Sequence, residues 1–106
     1  MARFFAVFAT DKPGMREVRE VRERVRPVHR TWLRGNTHRG VFVRLGGPTL
    51  APQCDAMNGA LPVVEAERID DVMEFVSNDP YMQAGLFDCV EIRLWDWSLG
   101  NPERRV

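Results

Sequence analysis

Residues 3–34 read RFFAVFATDKPGMREVREVRERVRPVHRTWLR, and a change of pattern inside this stretch decides the fold. Arg3 to Thr10 is a run rich in Phe, Val and Ala without polar alternation, which predicts a short strand buried on both faces. Asp11, Lys12, Pro13 and Gly14 break it. From Met15 to Arg34 the period changes: Val18, Val21, Val25, Val28 and Trp32 recur at helical spacing and form one apolar stripe. Glu20 and Arg24 add an i, i+4 pair on the opposite side. Pro27 withholds the amide that the Glu23 carbonyl needs, so a kink or a restart of the helix is expected there.

Working outward, Gly35 and Asn36 stop the helix, and Gly40 to Leu45 reads as a second strand with Val41, Val43 and Leu45 on one face. Gly46, Gly47 and Pro48 open a stretch without periodicity that runs to about Gly59, the pattern of a long and often functional loop. Ala60 to Glu67 predicts a third strand, with Pro62 marking its start or an edge position. Ile69, Val72, Met73 and Val76 mark a second helix, with Asp70 and Asp71 at the positive end of its dipole. Asp79 before Pro80 predicts a cap and a further helical turn over Tyr81 to Leu86. In the last strand, Asp88 to Trp97, Val90, Ile92 and Leu94 face one way, and Cys89, Glu91, Arg93, Trp95 and Trp97 the other.

This order predicts an α+β sandwich of ferredoxin-like type (βαββαβ), with the helices on one face of an antiparallel sheet. The other face carries large side chains and needs cover, so a homodimer packed sheet to sheet is expected. The 106 residues are expected to form a single domain, since no internal repeat, linker or low-complexity segment suggests a second.

Fifteen basic residues balance fifteen acidic ones, which argues against a nucleic-acid partner. The longest apolar run, Phe4 to Ala9, falls far short of the roughly 20 residues a membrane helix needs, and no secretory signal follows, so a cytoplasmic protein is expected. Cys54 and Cys89 are isolated and read as free thiols. With His29 and His38 they match no metal-ligand spacing, and no glycine-rich phosphate loop is present, so neither a metal nor a cofactor is expected.

His29, Arg22 and Arg26 share one flank of the first helix at the border of its apolar stripe. An imidazole beside two guanidiniums can wall an anion-friendly pocket and move a proton near neutral pH, although the arginines can equally pair with Glu on neighbouring turns. Asp79 has an ordinary role as a helix cap, which uses one oxygen; the second is free to accept a proton from a histidine ring. Tyr81 either orients a ligand or packs under the sheet.

Together these residues resemble YCII-related proteins of the dimeric α+β barrel superfamily. The likeness lies in the first strand with its acidic end (Phe4 to Lys12), in Arg22 and Val25-Arg26-Pro27-Val28-His29, and in Gly46-Gly47-Pro48. It continues in Asn78-Asp79-Pro80-Tyr81, Ala84-Gly85-Leu86 and a valine-rich final strand. The resemblance implies a dimer with apposed sheets and an active site built on His29 and Asp79. One branch of the family resembles a dehydrochlorinase acting on a hydroxylated, chlorinated ring, and related barrels isomerise lactones or cyclise polyketides. The expected function is therefore a cofactor-free lyase or isomerase with a small-molecule substrate, in which His29 removes a proton, Asp79 orients it, and Arg22, Arg26 and Tyr81 hold the substrate. The alternative is a dimeric small-molecule-binding or regulatory module that does no chemistry.

Overall fold

The computed structural model describes residues 3–35 and 40–103; Asn36, half of the expected helix stop, and His38 lie outside the described residues. Seven elements follow in the order β1 (Arg3–Asp11), α1 (Met15–Arg34), β2 (Phe42–Leu50), β3 (Met57–Ala66), α2 (Ile69–Ser77), α3 (Pro80–Gln83) and β4 (Phe87–Trp95). The strands form one antiparallel sheet in the order β2-β3-β1-β4, with β1 paired on both sides. This is the expected ferredoxin-like α+β arrangement.

Alternation along β1 turns Phe5, Val7 and Ala9 toward the helices. Phe5 and Val7 pack with Val64 and Ala66 of β3 and with Val72, Phe75 and Val76 of α2. Ala9 joins Tyr81, Leu86 and Phe87 in a second cluster, which Val18, Val21 and Val25 of α1 cover. On the other face of β1, Ala6 is buried but Phe8 is 43% exposed, so the strand is covered on both sides only in part.

Gly14 starts α1 at φ 108°, a left-handed conformation that only glycine adopts without strain. The helix continues through Pro27 to Arg34 without the expected restart, and Thr31 Oγ1 donates to the Pro27 carbonyl at 3.1 Å. Its buried side is rotated from the apolar stripe. Val28 is 59% exposed, whereas Trp32 and Leu33 pack on the core and Arg22 is buried. The i, i+4 pair on the solvent side is Arg16 with Glu20 at 3.5 Å, rather than Glu20 with Arg24.

The stretch from Gly46 to Gly59 is not a loop. β2 continues to Leu50 and β3 starts at Met57, leaving a turn over 51–56 closed by Ala51 N to Ala56 O at 2.8 Å. Gly-Gly-Pro concealed the strand because an edge strand tolerates Pro, and β2 is an edge. A register shift at Arg44 moves Leu45 to the face opposite Val43. At Gly59, a β-carbon would come within 2.3 Å of the Ala9 carbonyl oxygen, so only glycine lets β3 approach β1 there.

β4 keeps the expected alternation, with Val90 and Ile92 against the core and Cys89, Glu91, Arg93 and Trp95 on the open face. Trp97 has left the strand and lies edge-on to Phe4 at 5.5 Å, and Glu103 pairs with Arg44. The last helical turn ends at Gln83 rather than Leu86. Among the described residues no helix is long and apolar enough to cross a membrane.

Candidate active site beneath the first helix

Successive turns of α1 aim Arg22, Arg26 and His29 toward the sheet, where a cleft of about 330 Å³ opens between the helix, the end of α2 and α3. Residues at i, i+4 and i+7 share a helix face, so a single rod presents all three. Apolar side chains form much of the remaining wall, among them Val7, Trp32, Pro62, Phe75 and Val90. Such a lining, with a few convergent polar groups, suits a small, largely apolar ligand.

His29 Nε2 lies 3.5 Å from Asp79 Oδ1, an ion-pair distance that is long for a hydrogen bond. The same Oδ1 accepts the Tyr81 backbone N–H at 2.8 Å and caps α3. The expected division of labour between the two carboxylate oxygens is therefore corrected: one oxygen serves both the cap and the histidine. The His29 ring stacks on Tyr81 with centroids 4.0 Å apart and planes inclined by 21°. Trp32 also neighbours the histidine, with ring centroids 5.9 Å apart. Tyr81 thus both packs in the core and lines the cleft.

Arg22 does not pair with a neighbouring Glu. Its Nη2 donates to both oxygens of Asp11, at 2.7 and 2.6 Å, and more weakly to the Gly59 carbonyl at 3.4 Å. Both partners are buried, and the guanidinium carbon sits 5.3 Å from the Tyr81 ring centroid. Because one nitrogen straddles the carboxylate, the Arg22 Nε is left buried without a partner, at a cost of about 1–3 kcal/mol. Arg26 is half-buried, and the contact recorded for its guanidinium is the Met57 thioether at 3.6 Å, a weak acceptor.

The cleft brings together all five residues expected from the sequence: His29 and Asp79 in contact, Tyr81 between His29 and Arg22, and Arg26 further along the helix. Asp11 was missed as part of this cluster, because a carboxylate between a strand and a Pro-Gly turn reads as a solvated breaker. Met57 was missed with the hairpin that carries it, and the reading of Pro62 as a strand start or edge residue is corrected: it lies inside β3, which runs between β2 and β1.

A four-stranded antiparallel sheet under helices, with an apolar cleft and a few polar groups at one end, makes a ferredoxin-like domain with a candidate ligand site. Residues 3–96 match the YCII-related domain, and the chain belongs to that family. It is similar in structure to the 5-chloro-2-hydroxyhydroquinone dehydrochlorinase of Burkholderia phenoliruptrix AC1100, solved in complex with 2,5-dihydroxybenzoquinone. The two share 31% sequence identity with a TM-score of 0.73, over 88% of this chain and 93% of that one. No match was found among curated proteins.

Proposed function

We propose that this protein is a lyase or isomerase that abstracts a proton from a small hydroxylated aromatic or lactone substrate, with His29 as base and Asp79 as its orienting partner. The observation that carries the reading is the His29–Asp79 contact at the wall of an apolar cleft. With Nε2–H directed at Asp79, Nδ1 holds the free lone pair and takes the substrate proton. The electron pair released enters the ring or the carbonyl system as an enolate. Reprotonation at another carbon completes an isomerisation, and departure of a β leaving group with its bonding pair completes an elimination. Asp79 stabilises the imidazolium formed in between, as carboxylates beside catalytic histidines do. Likeness to the chlorohydroquinone dehydrochlorinase supports a small-molecule-processing enzyme and makes hydroxylated, halogenated rings the first substrates to try.

The deciding experiment incubates the protein with chlorinated hydroquinones and small lactones and quantifies each compound before and after. Consumption with release of stoichiometric halide, or formation of an isomer, is expected. A compound that raises the Tm yet is recovered unchanged makes the protein a binding module instead.

The functional unit proposed is a homodimer joined through the open sheet face. Phe8, Phe42, Leu45 and Trp95 are all exposed large apolar side chains, more than a small domain leaves uncovered without reason. Phe8, at the centre of the sheet, is the residue to change. Sedimentation should give a dimer for the native protein and a monomer for Phe8→Glu, and a native monomer at tens of micromolar would remove this reading.

A further inference from the structure

Beside the first turns of α1 lies a second cavity, of about 430 Å³, to which the reading above gives no role. Its wall carries four cationic side chains, Lys12, Arg19, Arg22 and Arg26, against two carboxylates, Asp11 and Glu23. Asp11 is consumed by Arg22. Glu23 is left facing Lys12, Arg19 and Arg26, none of which forms an ion pair among the described residues. The excess of positive charge in a partly enclosed space favours an anion, and guanidiniums hold planar carboxylates well.

The second cavity adjoins the cleft. Arg22, Arg26 and Met57 line both spaces, so the Arg26–Met57 contact stands at the boundary between them. Two features mark this boundary as incomplete. Arg26 directs a charged donor at a thioether, and the Arg22 Nε is buried with no acceptor. An anionic oxygen arriving here exchanges a weak sulfur acceptor for a charge-assisted bond.

We infer that the second cavity is a carboxylate subsite: the ligand whose ring lies in the cleft carries a short carboxylate arm that passes the Arg26–Met57 contact and is held among Lys12, Arg19 and Arg26. The inference rests on the cleft being the ring site but not on any reaction taking place there. It narrows the substrate class to ring compounds bearing a carboxylate arm.

The test compares 2-methylhydroquinone with 2,5-dihydroxyphenylacetate, which differ by the carboxylate alone, in anaerobic titrations followed by calorimetry. The arm is expected to tighten binding about tenfold at low salt, and 0.5 M NaCl to erase most of the gain. Lys12→Gln combined with Arg19→Gln changes two exposed side chains outside the cleft. It should remove most of the gain, since Arg26 alone is left to hold the arm, and leave 2-methylhydroquinone binding unchanged. Equal affinities of the two compounds for the native protein, or a gain undiminished by the double substitution, overturns the subsite. If neither ring binds, the cleft reading fails by itself, and acetate alone then decides on the subsite. Acetate must shift the Arg22 or Arg26 Nε–H resonance in the native protein, and the absence of any shift at saturating acetate overturns the subsite too.

Discussion

Replacing Arg22 with methionine is expected to destabilise the protein by about 3–5 kcal/mol, because it strands the buried Asp11 carboxylate without its cation. For a domain of this size that corresponds to a fall in Tm of more than about 10 °C, with the urea midpoint moving in step. The loss comes from the charge left behind rather than from the pair's own attraction, since two ions taken from water lose hydration that their mutual attraction barely repays. A double variant separates the two terms. Asp11→Leu together with Arg22→Met removes both charges and fills similar volume, and it should recover most of the stability lost by Arg22→Met alone. A single variant within about 1 kcal/mol of the native protein would show that Asp11 carries no buried charge. The double variant also bears on the site, because the Arg22 guanidinium is one neighbour of the Tyr81 ring on which His29 stacks.

The second large effect is on chemistry. On a compound that the native protein converts, His29→Gln should lower kcat by about 10²–10⁴-fold, the usual contribution of a positioned general base. Glutamine keeps a polar group of similar reach, so ligand affinity and Tm should stay close to native and confine the loss to the proton transfer. Asp79→Asn is the matching change: asparagine caps a helix as well as aspartate does, so α3 keeps its start while the charge beside the imidazole disappears. Its kcat is expected to fall at least about tenfold, less than for His29→Gln, because the base remains and loses only its orienting partner. Turnover undiminished in His29→Gln would place the base elsewhere in the cleft.

The elements with a strong period were legible in the sequence: α1, α2, the alternation of β4 and the ferredoxin-like order all follow from apolar spacing. The hairpin between β2 and β3 was not, because Gly46, Gly47, Pro48 and Pro52 signal a breaker wherever strand pairing is unknown. Edge position, which makes Pro48 tolerable, is a property of the whole sheet rather than of any local window. The rotation of α1 was hidden for a related reason. Arg22 counts as solvent-facing on any polarity scale, and only the ion pair with Asp11, eleven residues away, brings it inside and turns Val28 out. In the site, the types and positions of His29 and Asp79 could be read, and their 3.5 Å separation could not. The sharing of one Asp79 oxygen between cap and histidine depends on how α3 meets α1, which no spacing encodes.

Pro27 stands between Arg26 and His29 on the same helix. Its ring leaves the Glu23 carbonyl without the usual helical donor, so the rod has a joint at that point even though the helix is unbroken there. In the reading proposed above, Arg19 and Arg26, which hold the carboxylate arm, lie on the N-terminal side, and His29, the proposed base, lies on the C-terminal side with Trp32 beside it in the cleft wall. The two tasks can therefore drift independently in evolution. Substitutions in the first half can retune what is recognised while the second half keeps its chemistry, and a designer seeking a new specificity should begin upstream of the joint.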